Sequence, residues 1–296
     1  MGEVVPYSAV QGYSGLLGQV RAAGLADLDR LFASLAGEST SVCEEALRDV
    51  LPVLGDQYAG TVSMISAEFF DELQDVQGVR KRITPDIVEG PPRDSWQALA
   101  GWATSGKNMF EAAANDLVYR LVVGGFTKRL TEQSADTMIG NAQAQGSMGY
   151  QRVPAAGCCP FCAMLATRGA AYTSAESAGG VVGRGSPIPG APRRGGQARG
   201  IRPRGSRTVG QAFHDNCSCR VVAVDRGNAV EMGEHAEQYM AAYAQAAQKV
   251  SGGLVTRHFG QAGSRSHAQF DASGQVVSTK AETSRIVQEM QRLLTV

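Results

Sequence analysis

The chain has 296 residues, with 28 basic and 28 acidic side chains and a formal net charge of zero. Its content of 43% apolar and 19% charged residues is enough for one large domain or two ordinary ones, which excludes wholesale disorder. The balanced charge argues against a uniformly basic DNA-coating protein but leaves room for a local basic segment. The start of the chain is neither basic nor apolar, and no stretch approaches the about 20 apolar residues that cross a bilayer. We therefore expect a soluble chain with no secretory signal and no membrane partner.

Helical periodicity dominates residues 1–145. Apolar residues recur at i, i+3, i+4 and i+7 over 28–35, and a second stripe covers 62–76. Ser41 followed by Glu44 matches a capping box, which predicts the start of a helix. We predict four to six helices in this region.

Two extended segments flank a cysteine cluster beyond this region. The composition predicts short strands at Gly149–Val153 and Arg220–Val224. The sequence then predicts a helix over Gly227–Val250 and a Gly/Ser-rich linker over 251–274. A last helix is predicted from Thr279, and the apolar face of that helix is a candidate surface for another chain. The predicted fold is mainly α. It consists of a helical region (1–145), a small α+β zinc-knuckle-like module (146–225, with a long flexible loop over 177–207) and C-terminal helices (226–296).

Five of the six cysteines fall in two short segments, whereas Cys43 lies in a helical segment, where we expect a small buried residue. Residues 158–162 read C-C-P-F-C and contain a C-x-x-C knuckle, and residues 214–219 read H-D-N-C-S-C. Two sulfurs from one turn and further ligands from a second turn make a tetrahedral zinc site, and four protein ligands leave no open position for catalysis. The pattern predicts structural zinc, with ligands drawn from Cys159, Cys162, His214, and either Cys217 or Cys219.

The 51 residues between the two cysteine segments do not exclude this site. Closing such a loop costs about 3.5 kcal/mol plus a constant, whereas structural zinc supplies about 10–16 kcal/mol in small peptides. Three alternatives remain open. They are a disulfide framework, a thioredoxin-type redox C-x-x-C, and reduced thiols without metal.

No catalytic constellation accompanies the cysteines. The sequence has no G-x-S-x-G elbow and no Walker loop. His235, His258 and His267 lie in a predicted helix and a predicted linker, where solvated surface histidines are the simpler interpretation. We expect no enzymatic activity, including that of a thiol oxidoreductase.

Basic charge is concentrated in residues 177–207, which we call the arginine segment. It holds seven of the 28 basic residues and no acidic residue, so the other 21 basic side chains face 28 acidic ones. A run rich in Arg, Gly and Pro can follow a phosphate backbone without reading sequence. It can also be a solvated loop or contact an acidic protein surface. The candidate nucleic-acid-binding residues are Arg184, Arg193, Arg194, Arg199, Arg202, Arg204 and Arg207.

The cysteine segments also carry a family resemblance. The knuckle continues into R-G-x-x-Y at 168–172, and the second segment reads F-H-D-N-C-S-C-R-V-V from Phe213. These motifs, in this order, resemble the MuF-like minor head proteins of tailed bacteriophages of actinobacteria. The resemblance covers about 80 residues. The neighbouring Cys158 leaves open which sulfur pairs with Cys162.

The resemblance implies a structural virion component called a minor capsid or head morphogenesis protein. Such a protein would associate with the portal protein or the major capsid protein, assist head assembly or the packaging and ejection of phage DNA, and reside in the phage head after assembly in the host cytoplasm. A homo-oligomer is compatible with this role. Some relatives carry a capsid maturation protease, but the about 70 residues after the predicted strand are too few for that domain. The alternative function is a zinc-dependent nucleic-acid-binding protein outside any particle.

Overall fold

The computed structural model describes most of the chain up to Ala155 and separate segments beyond it. The described residues are 4–105, 112–155, 158, 160, 162–163, 186–187, 193–194, 197–198, 201–202, 219–225, 228–231, 233–251, 255–258, 267–270, 276–277 and 279–294. Within this part of the chain, no helix is long and apolar enough to cross a membrane.

The described residues are mainly helical, as the sequence predicts. Six helices are present among them. They are α1 (Tyr7–Ser34), α2 (Thr40–Val76), α3 (Arg93–Thr104), α4 (Ala112–Gln145), α5 (Glu234–Ser251) and α6 (Thr279–Leu294).

The strands are short and form small sheets. They are β1 (Val4–Val5), β2 (Met148–Val153), β3 (Ser186–Pro187), β4 (Arg193–Arg194), β5 (Gln197–Ala198), β6 (Ile201–Arg202), β7 (Arg220–Asp225), β8 (Ala229–Val230), β9 (Val255–His258), β10 (His267–Phe270) and β11 (Val276–Val277). Three pairs are antiparallel, namely β2 with β7, β3 with β6, and β4 with β5, whereas β1 and β8 are parallel. β9, β10 and β11 form a three-stranded antiparallel sheet with β10 in the centre.

The chain divides into two compact units. The helical unit contains Met1–Ala155 and Phe213–Glu231, and the C-terminal unit contains Ala156–Ala212 and Met232–Val296. The three-part division at 145 and 225 remains a prediction, because compactness in one structure does not show which segments fold independently.

Helix α2 is the central element of the helical unit and packs against α1, α3 and α4. Its start corrects the sequence prediction, because Ser39 caps the helix by accepting a hydrogen bond from the Val42 N–H at 3.5 Å. Glu44 instead contacts Arg48 at 2.8 Å. The signal was misassigned because Ser39 and Ser41 are both acceptable caps, and only the backbone conformation distinguishes them.

The core of the helical unit is built around Trp96 of α3, which is fully buried. Its ring centroid lies 5.6 Å from that of Phe126, and the Arg129 guanidinium lies 5.4 Å from the Trp96 ring. Gly55 lets α2 approach this ring, because a Cβ at that position would lie 2.2 Å from Trp96 Cε2. A side chain at Gly55 would therefore force the two helices apart.

The connection between α2 and α3 is held by side-chain amides. Residues 79–92 form neither helix nor strand, yet four amides on α2 and α4 bond to their backbone. Each bond satisfies a main-chain group that a regular ladder would otherwise pair. At distances of 2.7–3.1 Å, the pairs are Gln74 with Ile83, Gln133 with Val88 and Glu89, Asn141 with Asp86, and Gln145 with Lys81.

The C-terminal unit has a smaller core, formed by α5 and α6. Ile286 and Met290 of α6 pack with Tyr239 and Ala246 of α5 and with Ala163. The apolar face of the last helix is therefore buried within the chain, which corrects its interpretation as a surface for another chain. Met290 is fully buried, whereas Leu293 remains 38% exposed at the edge of this face.

Several local predictions can be compared with these elements. β2 and β7 confirm the predicted strands, and α5 begins later than the predicted helix because β8 occupies Ala229–Val230. β9 and β10 lie inside 251–274, where composition predicts a linker, since the β-branched pair Val255–Thr256 favours extended backbone. In the arginine segment, the described residues pair as short strands.

Candidate functional site

The β2–β7 ladder organises the approach to both cysteine segments. Val153 is the last residue of β2 and pairs with Arg220, the first residue of β7. The chain therefore leaves β2 towards the C-x-x-C knuckle, and returns from the H-x-x-C-x-C segment into β7, at the same end of the ladder. Sequence patterning predicted both strands but not their pairing, which is a tertiary property.

Helix α2 holds the ladder in place through its C-cap residue, Gln77. The Gln77 amide donates to the Ala223 carbonyl at 3.1 Å and accepts from the Asp225 N–H at 2.8 Å. Ser147, just before β2, donates to the Asp225 carboxylate at 2.8 Å. Gln77 is only 4% exposed, so these bonds are shielded from water and orient β7 against the helices.

A second buried polar cluster lies near the start of β7. The Tyr13 hydroxyl hydrogen-bonds with Ser66 at 2.7 Å and with Ser134 at 2.8 Å, which joins α1, α2 and α4. Burial raises the pKa of Tyr13, and this outweighs the two serine bonds and the positive charge of Arg220, which lower it. The neutral phenol is therefore favoured, and its two hydrogen bonds connect α1, α2 and α4.

Two of the predicted metal ligands are described, and both are buried. Cys162 is 1% exposed and lies in a helical turn of the C-terminal unit. Cys219 is 2% exposed and directly precedes β7 in the helical unit. The other three predicted ligands lie outside the described residues. They are Cys159, His214 and Cys217.

The two remaining cysteines have other surroundings. Cys158 is partly buried and packs against the apolar cluster of Ala163, Tyr239 and Met290. Cys43 is buried in α2, where its thiol lies 3.8 Å from the Leu35 carbonyl, and burial raises its pKa. The prediction that Cys43 is a small buried residue is confirmed.

The described residues alone do not assemble a metal centre. Among them, no three His, Cys, Asp or Glu side chains are grouped so as to hold an ion. The donor chemistry of these two cysteines fits zinc, because structural zinc sites are built from cysteine sulfurs and histidine nitrogens.

Three of the seven candidate nucleic-acid-binding arginines are described. Arg193 and Arg194 form β4, and Arg202 ends β6. The other four lie outside the described residues. They are Arg184, Arg199, Arg204 and Arg207.

Sequence reasoning missed the positioning residues of this region, above all Gln77. The sequence contained a weak signal for such residues, since polar residues occupy several helical positions that face inwards. The buried examples on α2 and α4 and at the end of α2 are Ser63, Ser66, Gln74, Gln77, Thr127, Thr131, Gln133, Ser134, Thr137 and Asn141. A polar side chain at a core position predicts a hydrogen-bonded tie, although not its partner.

Comparison with curated proteins found no match, and neither did comparison with solved structures. A family model, described as VG15 protein, matches residues 5–246. The match includes most of α1 to α5, the β2–β7 ladder and both cysteine segments. The chain belongs to the VG15 protein family, a family of viral gene proteins.

Proposed function

We propose that this chain is a structural head protein of a tailed phage, which associates with the portal or the inner capsid and assists head assembly or the packaging and ejection of DNA. The observation that carries the proposal is the cysteine pattern with its R-G-x-x-Y continuation, which resembles that of the MuF-like minor head proteins. Membership of a viral protein family supports it. The long helices of the described part of the chain are compatible with a structural role.

Structural zinc is part of this proposal. Cys159, Cys162 and His214 would bind the ion together with Cys217 or Cys219. Two observations support this donor set. Cys162 and Cys219 are shielded from water, and the β2–β7 register pairs Val153, which precedes the first segment, with Arg220, which follows the second. Cys158 packs against apolar side chains, which favours Cys159 as the partner of Cys162 in the knuckle.

When bound, zinc would supply a covalent-like cross-link between two segments that are 51 residues apart in sequence. The residues of the chain supply the rest. Gln77 fixes β7, the β2–β7 ladder fixes the exit and entry of the two segments, and the apolar residues around Ala163 seat the helical turn that contains Cys162. With four protein ligands the ion would serve architecture and not catalysis.

Phage DNA is the proposed ligand of the arginine segment. Seven guanidinium groups without a nearby acidic residue in sequence favour contact with phosphate oxygens. Replacing all seven arginines by glutamine should weaken DNA binding by the purified chain and flatten its salt dependence. A salt slope equal to that of the native chain would contradict this part of the proposal.

Deletion of the gene from the virus that encodes this chain tests the role in head assembly. We expect infected cells to accumulate empty or aberrant heads, and expression of the native chain from a plasmid to restore infectious particles. The Cys43→Ser variant should also restore them, whereas Cys162→Ser should not if the knuckle is needed. A deletion that leaves particle number and DNA content unchanged would contradict the proposal.

A further inference from the structure

The outer face of α2 carries an unusual density of negative charge. The helix contains eight acidic residues and one basic residue. Its exposed side, opposite the faces that pack on α1, α3 and α4, presents a line of residues at steps of three or four. We call this line the acidic ridge. It consists of Glu45, Asp49, Val53, Asp56, Gly60, Met64, Glu68, Glu72 and Asp75.

The ridge is long and contains no basic residue. From Glu45 to Asp75 it extends about 45 Å at 1.5 Å per residue. Asp75 pairs with Arg82, and Asp49 lies 3.9 Å from Arg93. Within the described part of the chain, the other four acidic residues of the ridge make no ion pair. They are Glu45, Asp56, Glu68 and Glu72.

These charges do not stabilise the helix that carries them. Glu68 and Glu72 are like charges at i, i+4, which is unfavourable by about 0.2–0.5 kcal/mol. They also lie near the C-terminal end of α2, where the helix dipole disfavours anions. A partner that supplies positive charge would remove both penalties.

Two apolar side chains on the ridge indicate what kind of cation fits. Val53 is 59% exposed and Met64 is 48% exposed, and both lie between acidic residues of the ridge. Arginine combines an apolar stem with a planar guanidinium that binds carboxylates in a bidentate manner. A series of arginines can therefore cover Val53 and Met64 while pairing with the carboxylates on either side.

We propose that the acidic ridge of one copy of this chain binds the arginine segment of a second copy. The charges are complementary, since the ridge carries six acidic residues and the arginine segment carries seven basic residues and no acidic one. The proposal does not depend on the role of the chain in a phage head.

The proposal also assigns two ligands to the same arginines. DNA and the ridge would compete for the arginine segment, so copies that associate through the ridge would separate when DNA binds. The association is electrostatic and exposed to solvent, so it should weaken steeply as salt rises.

Sedimentation velocity of the full chain tests the proposal. At about 50 mM salt we expect concentration-dependent oligomers, and at about 500 mM salt we expect monomers. A ridge variant with Glu45→Gln, Asp56→Asn, Glu68→Gln and Glu72→Gln should raise the dissociation constant at least about tenfold. The matched control neutralises four exposed acidic residues elsewhere, by Glu38→Gln, Glu89→Gln, Asp94→Asn and Glu237→Gln, and should leave the constant unchanged.

A charge swap separates direct pairing from a general effect of net charge. Replacing the same four ridge residues by lysine should abolish association. Combining these lysines with replacement of the seven arginines by glutamate in one chain should restore association, although the net charge of that chain is negative. A short DNA duplex should dissociate the native oligomer. A monomeric native chain at low salt, or association that the ridge variant does not weaken, would overturn the proposal, and neither result would bear on incorporation into particles.

Discussion

The two compact units of this chain bury their side chains in different ways. The helical unit buries large residues, including Trp96, Phe70 and Phe126, and adds buried amides that bond to the backbone. The described core of the C-terminal unit is smaller and includes Ala163 and Ala246. A cross-link would therefore add proportionally more stability to the C-terminal unit than to the helical unit.

Removal of metal should produce the largest difference between the units. A structural zinc contributes about 10–16 kcal/mol to folding in small peptides, so chelation should greatly increase amide hydrogen exchange in the C-terminal unit. The helical unit should change little except near Cys219. Exchange measured by mass spectrometry with and without chelator checks this, and added zinc should reverse it.

Two cysteine variants serve as the matched pair for this experiment. Cys162→Ser should lose zinc from the reduced protein, whereas Cys43→Ser should keep about one equivalent, because Cys43 is buried in α2 and contacts the backbone of the preceding turn. If the native protein contains no zinc and a chelator does not change its amide hydrogen exchange, the two units do not differ in their dependence on metal.

The two tryptophans test packing in the helical unit. Trp96 is fully buried and Trp102 is 54% exposed, although both lie on α3. Trp96→Ala should lower the free energy of unfolding by about 3–5 kcal/mol, because it leaves a cavity between α2, α3 and α4. Trp102→Ala should change it by about 0.5 kcal/mol or less. Urea unfolding followed by circular dichroism measures both, and equal effects would contradict the burial of Trp96.

The last helix offers the corresponding test in the C-terminal unit. Met290→Ala should cost about 2–5 kcal/mol, because Met290 is fully buried against α5. Leu293→Ala should cost much less, since Leu293 is 38% exposed. Hydrogen exchange of α5 and α6 reports the loss locally. A larger loss of stability from Leu293→Ala than from Met290→Ala would indicate that the apolar face of α6 binds another chain.

A hydrogen-bonding residue, Gln77, tests how the β2–β7 ladder is held. Gln77→Ala removes the bonds to Ala223 and Asp225 and leaves their buried backbone groups unsatisfied, which should cost about 1–3 kcal/mol. Gln57→Ala, at an exposed position of the same helix, is the control. The melting temperatures of the two variants provide the comparison. Equal melting temperatures would show that Gln77 does not hold the ladder.

The smallest effect concerns the exposed ion pairs of the C-terminal unit. Hydrogen bonding and charge from Lys249, followed by Arg292, lower the pKa of Glu289. A lowered pKa means that the stabilisation is present above the pKa of the unfolded chain and is lost as the pH falls through the folded value. Glu289→Gln should therefore slightly lower the melting temperature at neutral pH and have no effect at strongly acidic pH. A variant that is equally destabilised at both would show that packing, not charge, explains the effect.

The sequence predicted much of the secondary structure and less of its connections. Apolar periodicity and β-branched runs predicted the helices, β2 and β7, because these signals are local. The amide ties were not predictable, since Gln74 or Gln133 could equally have bonded to water or to its own helix. The start of α2 was misplaced by two residues because two serines compete as caps. The packing of the last helix could not be predicted either, since only the position of α5 shows what covers Ile286 and Met290.

The same reasoning applies to the candidate site. The spacing of cysteine and histidine predicted a donor set, and burial of Cys162 and Cys219 is compatible with it. The pairing of Val153 with Arg220, the strand ends next to these two segments in sequence, is visible only in the structure. The acidic ridge was implicit in the excess of 28 acidic over 21 basic residues outside the arginine segment, but only exposure along α2 showed that the charges form one line.

Quantitative mass spectrometry of gradient-purified procapsids and mature particles, from cells infected with the virus that encodes this chain, tests the proposed function most directly. We predict peptides of this chain in procapsids at a constant ratio to the portal protein. Peptides that appear only in the soluble host fraction, with none in procapsids or mature heads, would contradict a role in the head and favour a nucleic-acid-binding protein outside the particle.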